Sequence, residues 1–92
     1  MIKQIRSFIY IYSASNEILN ALYNSLLPET IEPPNPQRTQ TKIYSKEDAR
    51  VVILEISSKD LSSHRAALNT YLYILNSIIK TLEVITRSGR SD

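Results

Sequence analysis

Hydrophobic and polar positions along this chain follow two periods, an alternation typical of strands and a spacing typical of helices. From Ile5 to Ser13, β-branched and aromatic residues dominate. Their side chains would point alternately to the two faces of a strand, so this segment is predicted as the first strand. Apolar residues then recur every three or four positions between Ser15 and Leu27, which predicts a first helix. A proline cannot continue the hydrogen bonding of a helix interior, so Pro28 is expected to end this helix.

Two further strands are predicted after a connection, Pro28 to Gln37, that contains all four prolines of the chain. The segment Arg38 to Ser45 alternates but is polar, which indicates a strand at the edge of the sheet. The segment Arg50 to Ser57 is more apolar and is predicted as the third strand. The charged turn between them, Lys46 to Ala49, has no glycine, so we expect a loop of four or five residues rather than a tight turn.

The final helix, predicted from Asp60 to Thr86, has an apolar surface wider than a small core requires. Two apolar stripes together span roughly 160° of its circumference. The leucine stripe contains Leu61, Leu68, Leu72, Leu75, Ile79 and Leu82. The tyrosine stripe contains Ala67, Tyr71, Ile74, Ile78 and Ile85. We predict that Leu68, Leu72, Leu75 and Ile79 of the leucine stripe pack on the sheet and that the tyrosine stripe binds a partner. The alternative is a wider core, with the first helix lying across the tyrosine stripe.

The order strand, helix, strand, strand, helix predicts an α+β fold, with a three-stranded antiparallel sheet and both helices on one face. The first strand is apolar on both of its faces, which indicates a central place in the sheet or cover at an interface. A chain of 92 residues has room for one domain, which we assign to residues 1–87, with residues 88–92 as a flexible tail. Small domains gain stability from association, so oligomerisation would help this one.

Composition narrows the classes of function. The chain has no cysteine, which excludes disulfides and thiolate chemistry and agrees with a reducing compartment. Its net charge of +2 is too small to indicate nucleic-acid binding on its own. No apolar run approaches the ~20 residues that cross a bilayer, so we predict a cytoplasmic protein that does not enter the membrane.

Residues that could carry chemistry are few. His64 is the single histidine and Gly89 the single glycine, so neither a zinc site nor a phosphate-binding loop has its usual parts. Asp60 lies one turn before His64, a spacing more typical of a helix cap than of a catalytic pair. We therefore predict no enzyme, no bound metal and no cofactor. Catalysis centred on His64 is the least favoured hypothesis.

Basic residues on the polar faces leave another option open. Arg65 lies on the polar side of the long helix, and Arg38 and Lys42 lie on one face of the second strand. Such faces are usually solvated, but these residues could contact a phosphate backbone without sequence preference. Tyr44, on the same strand face, could stack on a base. The corresponding hypothesis is a small stand-alone RNA-binding module.

The start of the final helix resembles a known family. The segment from Ser62 to Leu72, SSHRAALNTYL, is similar to the CTAG/Pcc family, the small subunit of the KEOPS (EKC) tRNA-modifying complex. That family has a capped helix start, an arginine, small residues and then Asn-Ser/Thr-Tyr-Leu. The matching positions here are Asp60, Ser62, Ser63, Arg65, Ala66, Ala67, Asn69, Thr70, Tyr71 and Leu72. The predicted order of elements agrees with the family along nearly the whole chain.

The resemblance implies a β-α-β-β-α fold without an active site of its own. It also implies a dimer, formed with a second copy or with a paralogous small subunit, and a helical surface that binds the catalytic threonylcarbamoyl-transferase subunit. In that role the chain would assist formation of threonylcarbamoyladenosine in tRNA, and it would help the complex to hold the tRNA. Three features depart from the family: His64 where an apolar residue is often found, Tyr73 where many members have a basic residue, and a hairpin without glycine. Our leading hypothesis is a non-catalytic architectural subunit.

Overall fold

Two helices lie on one face of a three-stranded antiparallel sheet, as the order of elements predicts. The computed structural model describes residues 4–33 and 35–89, with side chains through residue 82. The elements are β1 (Ile5–Tyr12), α1 (Asn16–Ile31), β2 (Thr39–Lys46), β3 (Val51–Ser58) and α2 (Leu61–Gly89). The predicted α+β fold class is confirmed, while association into a dimer stays a prediction.

The sheet has the order β1-β3-β2, so β3 is the central strand and the other two are edges. The polar β2 lies at an edge, as predicted. The central place that was one alternative for β1 is wrong. The central strand is β3 instead. It contains the apolar run Val51 to Leu54 and is buried along almost its whole length. Phe8 of β1 and Lys42 of β2 both pair with Glu55 of β3, so the three strands are aligned residue by residue.

The hydrophobic core lies between the sheet and the two helices. Its buried members come from α1, β3 and α2: Leu19, Leu22, Leu26, Val52, Leu54, Ile56, Ala67, Tyr71 and Leu75. The three leucines of α1 recur at helical spacing, so they share one face of that helix. Complete burial of a large apolar side chain contributes roughly 1.5–3 kcal/mol. This cluster is therefore the main source of stability for the chain by itself.

The first helix continues past Pro28, so the prediction that this proline ends it is wrong. The proline removes one backbone donor, which weakens a helix interior. The Thr30 hydroxyl donates to the Leu27 carbonyl at 2.7 Å. The Tyr71 hydroxyl of α2 donates to the Glu29 carbonyl at 2.7 Å. The last turn of α1 is thus held by side-chain contacts, one of which comes from the other helix.

The hairpin between β2 and β3 has a four-residue loop, residues 47–50, which confirms the predicted length. Arg50 has a φ of 53°, a left-handed conformation that glycine would adopt more easily. Its backbone N–H donates to the Glu47 carbonyl at 3.1 Å, and its guanidinium donates to the Ala14 carbonyl. These contacts hold Arg50 in place where a glycine would otherwise be expected.

Other element boundaries differ from prediction by a few residues. β2 and β3 each begin and end one residue later than predicted, and α2 runs to Gly89 rather than Thr86. Ser15 caps the first helix, because its hydroxyl accepts a hydrogen bond from the Ile18 backbone N–H at 3.3 Å. The last three residues of the predicted tail, 90–92, lie outside the described residues.

Replacement of Tyr71 by phenylalanine tests whether its hydroxyl holds the end of α1. The ring stays buried, but the Glu29 carbonyl loses its donor, and such a loss costs about 1 kcal/mol. We expect Tyr71→Phe to lower the free energy of unfolding by that amount in urea titrations and to speed amide hydrogen exchange in the last turn of α1. Tyr73→Phe is the matched control, because that side chain is 74% exposed. Equal stability and exchange in the two variants would contradict this role of the hydroxyl.

Candidate interaction surfaces

The tyrosine stripe of α2 faces the chain's own core. Ala67 and Tyr71 are 0% exposed and belong to the core cluster. Ile74 and Ile78 are partly buried and pack against that cluster, and the side chain of Ile85 lies outside the described residues. In this chain alone, Ala67 and Tyr71 therefore present no surface to a partner, contrary to expectation. Partner contact by the other three residues stays a prediction.

The leucine stripe supplies much of the exposed apolar surface of α2 instead, and Tyr73 adds to it outside the stripe. Leu61, Leu72 and Ile79 are all exposed, Leu72 by 51% in the middle of the helix. Leu75 is buried and Leu68 partly buried against the core, so only part of the stripe packs as predicted. The three exposed residues lie within about 20° of one another around the helix axis. We call Leu61, Leu72 and Ile79 the α2 surface stripe.

His64 is a structural link between α2 and the sheet. Its side chain is only 2% exposed. Nε2 lies 2.7 Å from the Ser7 hydroxyl of β1, and Nδ1 lies 3.1 Å from the Ser58 hydroxyl of β3. Hydroxyls can donate or accept, so both ring nitrogens have suitable partners. This arrangement favours the structural interpretation, because a general base must come within hydrogen-bond reach of its substrate.

The same turn of α2 is held on its other flank by Ser63. The Ser63 hydroxyl accepts a hydrogen bond from the Asn35 side-chain amide at 3.3 Å. Ser63 and His64 are both buried and hold two flanks of the helix. At about 100° per residue, the arc between them contains Ala67 and Tyr71. These polar contacts therefore help to decide which apolar stripe of α2 faces the sheet.

Asp60 caps α2, as predicted. Its carboxylate accepts from the Ser63 backbone N–H at 2.8 Å and from Arg38 Nε at 2.6 Å. The Ser63 backbone hydrogen bond, followed by the Arg38 contact, lowers the pKa of Asp60 from 3.8 to about 2. Arg38 is thereby engaged in an ion pair within the chain.

The structure does not bring the three predicted nucleic-acid-binding residues into one patch. Lys42 lies on the sheet face away from the helices, where the exposed positions of β2 alternate with buried ones. Arg65 is exposed on α2, in the other layer. Arg38 precedes β2 and is paired with Asp60. Contact of any of the three with RNA stays a prediction.

The sheet face away from the helices, which we call the open face, is lined with aromatic side chains. Phe8, Tyr10 and Tyr12 of β1 are exposed there, Tyr12 by 68%. Neighbouring rings have centroids 6.4 Å apart, and the planes of Tyr10 and Tyr12 differ by only 11°. Tyr44 of β2 lies in line with Tyr10, with Ile53 of β3 between them. Exposed apolar patches of this kind often mark sites of association.

These aromatic residues are not among the predicted site residues. Their signal in the sequence is the first strand, which is apolar on both of its faces. That pattern left a central place and an interface as alternatives, and the edge position of β1 excludes the central place. Cover of the open face by another protein stays a prediction.

A carboxylate lies in the middle of the open face. Glu55 of β3 accepts a hydrogen bond from the Tyr44 hydroxyl at 2.9 Å, and Arg6 Nε lies 3.4 Å from its other oxygen. The hydrogen bond to Glu55 raises the pKa of Tyr44. The Glu55 side chain is only 14% exposed. It forms a paired polar centre on a face that carries Lys42 and Lys46 as well as aromatic residues.

The described residues offer little else that could form a site. A shallow cleft of about 210 Å³ opens beside Arg38 and Lys59, smaller than the 300–1,000 Å³ typical of small-molecule sites. In this part of the chain, no three histidine or carboxylate side chains come together as metal ligands. None of the helices described is long and apolar enough to cross a membrane.

The architecture defines a small two-layer α+β protein whose exposed apolar residues lie on both layers. The sequence profile of the Pcc1 family, described as transcription factor Pcc1, matches residues 11–83. The chain therefore belongs to the Pcc1 family, a family of KEOPS subunits, and the resemblance inferred from its sequence is confirmed. Members are non-catalytic subunits of a multi-subunit complex. A comparison with curated proteins gives no match.

The Asp60 cap leads to a specific dependence of stability on pH. Its pKa is about 2 in the folded chain, against an ordinary value of 3.8. The charged carboxylate therefore stabilises the fold fully above the ordinary value, and this contribution is lost as the pH falls through that window. We expect Asp60→Asn to be less stable than the unchanged chain at neutral pH, and the difference to shrink between the two pKa values.

Urea titrations at several pH values measure this difference. Asp48→Asn is the control, because it removes a carboxylate from an exposed position in the hairpin loop. A difference between Asp60→Asn and the unchanged chain that stays constant with pH would show that the charge of Asp60 does not stabilise the fold.

Proposed function

We propose that the chain is a non-catalytic architectural subunit of the KEOPS complex. In this proposal the open face joins a second small subunit, and the α2 surface stripe docks the threonylcarbamoyl-transferase subunit. The complex then forms threonylcarbamoyladenosine in tRNA in the cytoplasm, and this chain supplies contacts rather than chemistry. The observation that carries the proposal is exposed apolar surface on both layers of a chain whose core is already filled.

The helical layer supports docking because three of its exposed apolar residues, those of the α2 surface stripe, form one line along a long helix. α2 has 29 residues, which corresponds to about 44 Å at 1.5 Å per residue. α1 has 16 residues and is little more than half as long. Burial of a large aliphatic side chain contributes roughly 1.5–3 kcal/mol. A partner that covers Leu61, Leu72 and Ile79 would therefore gain substantial binding energy.

The open face supports association with a second small subunit. Phe8, Tyr10 and Tyr12 cover one edge of it, and Val51 and Ile53 of β3 lie beside them. A sheet with an exposed apolar face is stabilised by packing on a second sheet about 10 Å away. A second copy of this chain, or a paralogous subunit of the same fold, offers such a sheet. Contact with tRNA is proposed here only for the assembled complex.

Leu72→Asp tests docking through the α2 surface stripe. Leu72 lies outside the core cluster, so the variant should keep its fold by circular dichroism and its self-association by light scattering. An unpaired carboxylate buried at an interface is strongly unfavourable. We therefore expect binding to the threonylcarbamoyl-transferase subunit, measured by calorimetry, to weaken by roughly a hundredfold or more.

Ser77→Asp is the matched control for this experiment. It places the same charge on an exposed position of α2, about 140° away from Leu72 around the helix axis. We expect it to bind the transferase subunit normally. Unchanged binding by Leu72→Asp, or an equal loss in both variants, would contradict docking through the stripe.

One observation favours the alternative, a small stand-alone RNA-binding module. Several RNA-binding domains stack bases on aromatic side chains exposed on a sheet, with cations nearby to contact the phosphates. On the open face, Lys46 lies across β3 from Tyr12, and Lys42 lies across β3 from Phe8. Arg6 lies on the same face, four residues before Tyr10. The same face could therefore take RNA in place of a second subunit.

Gel-shift titrations of the isolated chain with single-stranded RNA distinguish the two functions. An RNA-binding module should bind with an affinity that falls steeply as salt rises. Tyr10→Ala should then weaken binding by about 1–3 kcal/mol, while Tyr73→Ala, on exposed α2 surface, should not. For an architectural subunit we expect no such binding by the isolated chain. Salt-sensitive binding that requires Tyr10 would replace the architectural proposal.

A further inference from the structure

A polar depression lies at the end of the sheet where β2 begins and β3 finishes. It consists of a cleft of about 210 Å³ and an adjoining one of about 40 Å³. Gln4, Gln40 and Ser57 line both of them, and we call the two together the end cleft. One water molecule needs only about 10–15 Å³. The end cleft therefore has room for a small ion, although it is below the roughly 300 Å³ at which sites for organic ligands begin.

Ser57 lies at the centre of the end cleft. The strand register places Arg6 of β1 on one side of it and Gln40 of β2 on the other. Ser57 is only 7% exposed. Its hydroxyl forms no hydrogen bond within the part of the chain that the structure describes, whereas the Ser58 hydroxyl contacts Nδ1 of His64 at 3.1 Å. A nearly buried hydroxyl without a partner is unfavourable, and a ligand oxygen in the end cleft would accept its hydrogen bond.

The polarity of the end cleft follows from the way β3 finishes. The strand is mostly apolar as far as Ile56 and then continues as Ser57, Ser58 and Lys59. Side chains alternate between the two faces of a strand. Ser58 consequently contacts the helical layer, while Ser57 and Lys59 line the end cleft.

Positive charge exceeds negative charge around this depression. Four cations line the end cleft: Arg6, Arg38, Lys42 and Lys59. The two arginines are paired with carboxylates, at 3.4 Å with Glu55 and at 2.6 Å with Asp60. The two lysines take part in neither pair, so they leave an excess of two positive charges.

The two lysines flank Ser57 from opposite directions. Lys59 lies two residues beyond Ser57 on β3, towards the end of the sheet. Lys42 lies two residues after Gln40 on β2, towards the middle of the sheet. A group held at the Ser57 hydroxyl would therefore have an ammonium group on each side.

This set of donors fits a doubly charged oxyanion. Hydroxyl, amide and ammonium donors recognise phosphate through charge-assisted hydrogen bonds. A terminal phosphate carries a charge of about −1.5 to −2 at neutral pH and has three strong acceptor oxygens. A carboxylate or a phosphodiester carries only one negative charge, and single-stranded RNA is usually bound along an extended groove. Both the charge and the shape of the end cleft favour a terminal phosphate.

We propose that the end cleft binds a terminal phosphate group, either free phosphate or the phosphate of a small phosphorylated compound. Ser57 donates to one oxygen, and Lys42 and Lys59 supply the charge. The side-chain amide of Gln40 is a further donor. The inference goes beyond the proposed function and depends on neither self-association nor docking.

Titration of the full chain with inorganic phosphate tests the proposal. Ionic strength is held constant with sodium chloride, and backbone amide shifts are followed by NMR. We expect saturable shifts at Gln40, Ser57 and Lys59 in the low millimolar range. Shifts that do not saturate, or that chloride alone reproduces, would show only screening of surface charge and would overturn the site.

Two variants test the assigned donors. Ser57→Ala removes a hydrogen bond to a charged group, so we expect phosphate affinity to fall roughly tenfold. Ser77→Ala, at an exposed position of α2, is its control. Lys59→Gln removes a charge at an exposed position, where the fold is not at risk, and should also weaken binding. Its control is Lys46→Gln, at the other end of β2. Phosphate affinity unchanged in both Ser57→Ala and Lys59→Gln would overturn the proposal.

The source of the phosphate is distinguished by two further ligands. Tighter binding of ribose 5-phosphate than of inorganic phosphate would identify a phosphorylated compound, and equal or weaker binding would identify free phosphate. A dinucleotide whose only phosphate is a phosphodiester carries a single charge, so we expect it to bind more weakly than either. Binding of the dinucleotide as tight as that of phosphate would overturn the assignment to a terminal phosphate and point to RNA.

Discussion

The burial of Tyr71 between the helices and the sheet connects most parts of this chain. Burial raises the pKa of its hydroxyl, and that hydroxyl donates to the Glu29 carbonyl of α1. The side chain thus supports the turn of α1 that follows Pro28, while its ring belongs to the central core. Once Tyr71 is in this position, α2 has one rotation on the sheet, and the α2 surface stripe lies outside the core.

This rotation has a consequence for function. A helix buries only one arc against a sheet, so an apolar surface wider than that arc remains partly exposed. On the other side of the sheet no further layer from the described residues covers the aromatic side chains of β1. The chain therefore presents apolar surface in two directions, and its one histidine is used to join α2 to the strands. Such an organisation suits a family of non-catalytic subunits, whose contribution to a complex is contact.

Much of the fold could be predicted because it depends on local patterns. The polarity of the second strand indicated an edge, and the missing glycine indicated the longer hairpin loop. The prediction that Pro28 ends the first helix failed because a contact that supports this helix comes from Tyr71, which is distant in the chain. The candidate surfaces were harder to predict. The tyrosine stripe, which was predicted to bind a partner, contains two core residues. Arg38, which was predicted to contact RNA, is paired with Asp60.

The sequence by itself determined the order of the elements, the edge position of β2 and the excess of apolar surface on α2. Only the tertiary structure decided which part of that surface is buried and which sheet face remains open. The physical reason is that periodicity shows which residues share a face but contains no information on how that face is rotated. The rotation follows from contacts between residues far apart in the chain, such as Ser7 with His64 and Glu29 with Tyr71.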